Sequence, residues 1–248
     1  MAVGRSREMR CERIDTERER STMEAHIQST TIAVLGGTGK EGKGLALRWA
    51  AKGHEVIIGS RDATRAQATA DEIRIRAGNN ARVRGADNAS AAQEASIIVL
   101  AVPYSAQLAT AQEVAAQLTG KVLIDVTVPL APPKVDRVQL PPGGSAVLAL
   151  QEKLGAQVKV VSAFQNVSAG HLWDLEHVIE CDVLVCGDDA DAREAAVRLA
   201  GDAGMKGWHA GVLANSAAAE ALTSVLIAIN KRYKIPGSGL RITGTPAR

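Results

Sequence analysis

The chain has 248 residues, 46% hydrophobic and 23% charged, and its 29 basic and 27 acidic side chains leave a formal net charge of +2. That length supports one large domain with a real core. The near-neutral balance gives no general field for a polyanion, and 2% aromatic residues give no stacking platform for bases, so nucleic-acid binding is disfavoured. Cys11, Cys181 and Cys186 show neither CxxC spacing nor an even count. This argues against a disulfide scaffold or zinc ribbon and fits a reducing compartment.

Residues 1–29 stand apart. Arg5, Arg7, Arg10, Arg13, Arg18 and Arg20 interleave with Glu8, Glu12, Asp15, Glu17, Glu19 and Glu24. No apolar segment follows the charges, so a secretory signal is not expected. The composition predicts a disordered leader, or sequence translated ahead of Met23, with a frayed subunit-contact helix as the alternative. Wholly apolar stretches such as Ile97 to Val102 and Val225 to Ile229 are too short to span a bilayer, so no membrane partner is expected and the expected location is cytoplasmic.

From Thr31 onward, short β-branched runs alternate with Ala-rich stretches. Strands are predicted at Thr31 to Gly36, Glu55 to Gly59, Ala81 to Gly85, Ser96 to Val102, Lys121 to Val126, Val158 to Ser162, Asp182 to Cys186 and Lys206 to Ala210. Most are nearly all apolar, as in a parallel sheet covered on both faces. Helices are predicted at Lys40 to Lys52, Asp62 to Ala77, Ala106 to Leu118 and Ala190 to Ala203, and a long one at Ala214 to Tyr233. This alternation reads as an α/β fold, a Rossmann-type doubly wound and mostly parallel sheet with a small C-terminal helical part. The proline-rich stretch Thr127 to Gly144 is expected to be a loop. The domain boundaries expected are a leader at 1–29, a dinucleotide-binding domain at 30–212 and a helical segment at 213–248.

The strongest chemical signal is GxGxxG at Gly37, Gly39 and Gly42. It follows a predicted strand and opens a predicted helix, which is the context the fingerprint requires. Gly37 is expected to make the tight turn, Gly39 to admit the pyrophosphate and Gly42 to pack helix on strand. The helix N-terminus then offers free N–H groups and a positive dipole end. At the end of the second strand, where an NAD site carries a carboxylate, this chain reads Gly59-Ser60-Arg61. Ser60 and Arg61 can bond a 2′-phosphate, and Arg65, placed on the same helical face, can join them, so NADP(H) is expected over NAD(H). The alternative makes Arg61 and Arg65 solvated charges and Asp62 the ribose ligand.

Val102 and Tyr104 follow the fourth strand and Val128 the fifth, so they should border the nicotinamide ribose, unless Pro103 and Pro129 merely end strands. His54 reads as structural. His171 and His177 with Asp174 lack a visible third ligand, so no metal is expected. No GxSxG and no cysteine with an evident base is present, and no residue stands out as a general acid or base. The catalytic set is therefore expected to be empty, with hydride transfer achieved by positioning.

Gly36-Gly37-Thr38-Gly39-Lys40-Glu41-Gly42-Lys43-Gly44, Gly53-His54-Glu55-Val56, Gly59-Ser60-Arg61, Ala163-Phe164-Gln165-Asn166-Val167, Cys186-Gly187-Asp188-Asp189 and Leu213-Ala214-Asn215-Ser216 together resemble the NADPH-dependent F420 reductases, the F420:NADP oxidoreductases. The resemblance runs from about Thr31 to Gly244. It implies reversible hydride transfer between NADP(H) and the deazaflavin coenzyme F420. It places Thr38, Gly39, Lys40 and Glu41 at the pyrophosphate, Ser60, Arg61 and Arg65 at the 2′-phosphate, and Val102, Tyr104, Val128 and Ala169 along the rest of NADP. Ala163, Phe164, Gln165, Asn166 and Val167 would border the deazaflavin, with Gln165 standing where archaeal members often carry His. It also implies a homodimer whose C-terminal helices close the coenzyme cleft. Small side chains such as Val128, Ala163, Val167 and Ala169 suit rings held about 3–3.5 Å apart. Lys134, Arg137, Lys231, Arg232 and Lys234 are candidates for the anionic coenzyme tail, or solvated surface charges. Two other readings stay open: an NADPH-dependent reductase of a small carbonyl or imine, and an NADPH-sensing protein without turnover.

Overall fold

The inner β-branched runs form strands that bury both faces at once, whereas the edge strands over residues 83–87 and 206–209 are only partly buried. The computed structural model describes residues 29–244, so the leader expected at 1–29 lies almost wholly outside the described residues. Eight strands are present: β1 (Thr31–Leu35), β2 (Glu55–Ser60), β3 (Val83–Asp87), β4 (Ile97–Leu100), β5 (Val122–Asp125), β6 (Lys159–Ser162), β7 (Asp182–Gly187) and β8 (Lys206–His209). They lie in the order β3-β2-β1-β4-β5-β6-β7-β8. Alternate residues feed two separate cores. Ile32 and Val34 point to one face with Ile58 and Val99, while Ala33 and Leu35 point to the other with Ile57 and Leu100. This is the period-two logic of a sheet covered on both sides.

The helices are α1 (Lys40–Ala51), α2 (Ala63–Ala77), α3 (Asn88–Glu94), α4 (Tyr104–Glu113), α5 (Ala115–Leu118), α6 (Ala146–Leu154), α7 (Ala169–Leu172), α8 (Ala190–Asp202) and α9 (Ser216–Tyr233). Three of these were not expected. α3 is capped by Asp87, whose side chain accepts from the Ser90 N–H, and α6 by Ser145, which accepts from the Leu148 N–H. Both are short, and their cap residue is the main local signal. α7 is a single turn. The stretch expected as one helix from Ala106 to Leu118 starts earlier and breaks at Val114, which is fully buried.

The six strands β1 to β6 are parallel, but β7 runs antiparallel to β6, and β8 is parallel to β7. The chain leaves β6 at the carboxyl edge, remains there through residues 163–181, and re-enters the sheet in the opposite direction. That excursion is fixed by Arg48, which is 7% exposed and forms no carboxylate ion pair within 4 Å among the described residues, although the Asp174 charge favours its cationic form. Its guanidinium donates to the carbonyls of Leu172 (3.1 Å), Ala203 (3.2 Å), His171 (3.2 Å), Asp174 (2.6 Å) and His177 (3.1 Å). Gly44, one turn earlier on α1, leaves room for Leu172: a Cβ there would lie 2.4 Å from the Leu172 Cβ. Trp49 Nε1 donates to the Leu199 carbonyl at 2.8 Å.

Helix α9 extends a segment, Leu213–Tyr233, that is long and apolar enough to cross a membrane, with mean hydropathy 1.3. Its interior argues for packing against the domain instead. Glu220 is 1% exposed and accepts from Ser145 Oγ (2.6 Å), Ser216 Oγ (2.8 Å) and the backbone N–H groups of Ala146 (2.7 Å) and Val147 (3.3 Å). A buried carboxylate on α9 thus caps the start of α6, satisfying N–H groups that the helix itself cannot.

Arg48→Met keeps the aliphatic stem and removes every one of those donors. It should lower unfolding free energy by roughly 2–4 kcal/mol through the carbonyls left unsatisfied, measured by urea denaturation.

Candidate dinucleotide and coenzyme site

The order 3-2-1-4-5-6 reverses between β1 and β4, and a crevice at the carboxyl ends of such strands is where ligands bind. The β1–α1 turn lies there. Gly36 adopts φ +76°, and a Cβ on it would meet the Ala101 carbonyl at 2.4 Å. The left-handed turn therefore belongs to Gly36, not to Gly37 as the motif suggested. Gly37 serves close approach, since a Cβ would meet the Val34 carbonyl at 2.7 Å. Gly42 packs the helix on the turn, with Ala101 Cβ, the Gly36 carbonyl and Gly37 Cα all 3.0 Å from its missing Cβ. Gly39 is the N-cap of α1 and supplies no side-chain cap. The first amides of α1 are thus left for an anion, beside exposed Lys40 and half-buried Thr38.

At the end of β2, Asp62 is committed locally. Its Oδ1 accepts from the N–H groups of Thr64 (3.0 Å) and Arg65 (3.1 Å), capping α2, and its own N–H donates to Ser60 Oγ at 3.2 Å. This disfavours Asp62 as the ribose ligand. Because α2 starts at Ala63, Arg61 precedes the helix and does not share a helical face with Arg65; that expectation is corrected. Both arginines are exposed and form no ion pair among the described residues. Arg65 sits in the first turn of α2, where a cation opposes the helix dipole. A bound dianion would reverse that penalty.

The rest of the crevice comes from the ends of β4, β5 and β6. Val102 Cγ1 lies 2.6 Å from the missing Gly36 Cβ, and Tyr104 opens α4 with 39% exposure. Val128 is half-buried after β5. Residues 163–167 are all buried. Gln165 Nε2 donates to the Asp125 carbonyl (2.8 Å), Thr223 Oγ1 donates to the Gln165 carbonyl (2.7 Å), and Asn166 Nδ2 donates to the Asp182 carbonyl (2.7 Å). The Phe164 side chain is turned into the core, edge-on to Trp49 with centroids 5.9 Å apart, and its backbone is left-handed at φ 73°. Its aromatic face is therefore spent on packing, and backbone is what Phe164 itself can offer a ligand. Ala169, half-buried, opens α7. Among the tail candidates, Lys231 is engaged with Asp136 at 2.9 Å.

Sequence reasoning placed Glu41 at the pyrophosphate without foreseeing its proton affinity, and it missed Asp125 beneath this crevice. Asp125, at the end of β5, is fully buried, accepting from the Thr127 N–H (2.8 Å) and from the Gln107 side-chain amide. Burial pushes its carboxyl up to about 6, with the Glu220 charge adding to the rise. Glu41, in the first turn of α1, is half-buried and accepts no hydrogen bond among the described residues. Burial, then the nearby Asp125 charge, pushes it up to about 8, against the helix dipole, which alone would favour the carboxylate. A single acid in an otherwise apolar strand, and another in the apolar run of α9, were the available signals. Elsewhere, His54 pairs with Asp202 at 3.0 Å, and His171 and His177 pack edge-on. Among the described residues no three His, Cys, Asp or Glu side chains gather for a metal.

A parallel sheet with this order, a glycine-lined turn at its switch point and an uncapped helix start above it define a dinucleotide-binding Rossmann protein. The family model for coenzyme F420-dependent NADP oxidoreductases matches residues 31–129. The F420-dependent NADP reductase of Methanocaldococcus jannaschii is 41% identical over 219 residues, covering 86% of this chain and 97% of its own. That of Methanothermobacter marburgensis is 42% identical over 221 residues, covering 87% and 99%. A solved structure from Arthrobacter sp. FB24, named as a candidate F420-dependent NADP reductase, superposes with a TM-score of 0.71 at 27% identity, covering 87% of this chain and all of its own. The chain belongs to the coenzyme F420-dependent NADP oxidoreductase family.

Glu41 has a consequence for stability. Burial and the nearby Asp125 charge hold its folded-state carboxyl up at about 8, whereas the unfolded chain loses that proton near the ordinary carboxyl value of 4.5. Stability is therefore lost as pH rises between these values, the reverse of an ion-paired acid. Glu41→Gln should remove that loss, gaining on the order of 2 kcal/mol over wild type at about pH 8 relative to about pH 5, after discounting for partial solvent access. Denaturant melts at the two pH values measure it.

Proposed function

We propose that the protein transfers a hydride reversibly between NADP(H) and the deazaflavin coenzyme F420. The observation that carries this is the pairing, within one family member, of an uncapped, glycine-lined α1 start with two unpaired arginines, Arg61 and Arg65, beyond β2. The α1 amides with Thr38, Gly39 and Lys40 hold the pyrophosphate. Ser60, Arg61 and Arg65 hold the 2′-phosphate through charge-assisted bonds. Val102, Tyr104, Val128 and Ala169 line the nicotinamide half.

Ala163 to Val167 form the floor for the second ring, with Gln165 fixed by its bonds to Asp125 and Thr223. When bound, the two coenzymes supply the redox chemistry, and the protein supplies orientation and a dry contact between them. Holding two reactants in register converts an encounter between molecules into a step within one complex, which is where the rate gain originates. Residues 30–212 act as the dinucleotide domain and residues 213–248 as the segment that closes the cleft.

The protein works as a cytoplasmic homodimer in this reading, with no nucleic-acid or membrane partner. Support for the dimer comes from α9, whose outer side leaves Val225 at 44% and Tyr233 at 70% exposure beside half-buried Leu222 and Ile229. Such a face on an otherwise packed helix is best covered by a second copy. Val225→Glu should shift sedimentation toward the monomer without changing the circular dichroism spectrum.

Purified protein mixed with NADPH and oxidised coenzyme F420 should bleach the deazaflavin band in step with NADPH loss, whereas FMN and FAD should not be reduced. Turnover with a small carbonyl or imine and none with the deazaflavin would refute the reading. Arg61→Ala should weaken NADPH binding by roughly 1.5–3 kcal/mol, the value of a charge-assisted contact, while leaving NADH binding unaffected. Fluorescence titration of both nucleotides measures the difference.

A further inference from the structure

Acids at helix starts normally serve as caps, and in this protein Asp62, Asp87 and Asp189 do so, each accepting from backbone N–H groups of the helix it precedes. Glu41 departs from that pattern. It is the second residue of α1, inside the turn proposed to cradle the pyrophosphate, and its carboxyl takes no hydrogen bond and no ion pair among the described residues. Its neighbour Gly42 packs on Ala101 at the end of β4, and Leu100 there pairs across the sheet with Asp125 at the end of β5, so the turn that carries Glu41 lies over that acid, whose charge reaches it. Asp125 has no cationic partner among the described residues either: the Thr127 N–H and the Gln107 amide bond its two oxygens, and the Glu220 charge also reaches it. The Gln165 side-chain oxygen, buried and without a hydrogen bond among the described residues, belongs to the same corner, since its amide nitrogen is on the Asp125 carbonyl.

The other charged or titratable groups on the elements around α1 do not neutralise this corner. On α1, Lys43 is tied to Glu72 of α2, and Lys40 is exposed. The arginine on α1, Arg48, spends its donors on carbonyls of 171–177 and Ala203. His171 on α7 packs on His177, Asp202 on α8 pairs with His54, and Tyr104 at the start of α4 is exposed. Two ionised carboxylates here would stand beside two more negative charges once a pyrophosphate settles on α1.

We propose that Glu41, backed by Asp125, meets the bound dinucleotide as a neutral carboxylic acid, so that NADP(H) binding is linked to retention or uptake of one proton by this pair. This rests on the dinucleotide reading above. In the protonated form Glu41 removes the like-charge repulsion and adds an O–H donor in a turn otherwise made of backbone amides. Its raised proton affinity in the free protein agrees in direction. A phosphate-bearing ligand raises it further, so affinity is fully present below the free-protein value and declines as pH climbs through it.

The test is NADP+ binding to the full chain between pH 7 and pH 9.5, by calorimetry in two buffers of different ionisation enthalpy. Wild type should show a dissociation constant that rises towards about tenfold per pH unit above pH 8, with close to one proton taken up per nucleotide bound near pH 9. Glu41→Gln, which keeps a neutral hydrogen-bonding group of the same size, should bind with a constant flat over that range and with no proton uptake. Wild-type binding that is flat with pH, or a Glu41→Gln profile as steep as wild type, overturns the proposal. If wild type binds no NADP+ at any pH, the dinucleotide reading itself fails.

Discussion

The closeness of the β1–α1 turn to the end of β4 governs the carboxyl edge of the sheet. Gly36, Gly37 and Gly42 all lie where a single added carbon would collide with backbone or with Ala101. That proximity sets α1 low over the switch point, so that its first amides face the crevice instead of solvent above it. It also sets where the rest of α1 falls. Four residues after Lys40, Gly44 admits Leu172; four further, Arg48 gathers the carbonyls of the β6–β7 excursion; beside it, Trp49 meets Phe164. One helix thus carries the proposed phosphate site at its start and anchors, at its far end, the segment proposed for the second coenzyme. A shift of α1 moves both halves of the site together.

Charge is distributed with the same economy of parts. Among the described residues the interior acids Asp125 and Glu220 rely on neutral donors, while buried Arg48 spends its own donors on carbonyls. An ion pair at these positions would exchange a large desolvation cost for its Coulomb attraction, whereas amide and hydroxyl donors satisfy the oxygens at lower cost. Glu220 gains from standing at the start of α6, where the dipole favours a negative charge. Asp125 has no such helix, and burial raises its proton affinity.

The strands were legible because two-sided burial forces near-continuous apolar runs, and all eight occur close to where those runs fall. The helices α3 and α6 were not, because neither has a long apolar stripe and each depends on one capping residue, Asp87 or Ser145. The direction of β7 was hidden for a different reason. Antiparallel entry depends on residues 163–181 staying at the carboxyl edge, and the residue that keeps them there, Arg48, lies more than a hundred positions upstream on a helix that reads as ordinary. The motif glycines were legible as a set, but the assignment of the left-handed turn to Gly36 required seeing the Ala101 carbonyl beside it. Phe164 shows the limit of carrying a motif position over as a contact: its place in the segment fits, while its ring belongs to the core.

The two ends of the crevice differ in kind, and the difference can orient a dinucleotide. Beyond β2, Arg61 and Arg65 offer two exposed guanidiniums that form no ion pair among the described residues, one of them held against a helix dipole that disfavours it. Beneath α1 and at the end of β5, burial raises the proton affinity of Glu41 and Asp125. In the proposed dinucleotide reading, a ligand with a phosphate at its adenosine end sets that phosphate on the arginines in one direction only. Reversed, it would leave both guanidiniums bare and Arg65 still opposed by the helix dipole. The exposed arginine pair is thus the feature that would orient such a ligand.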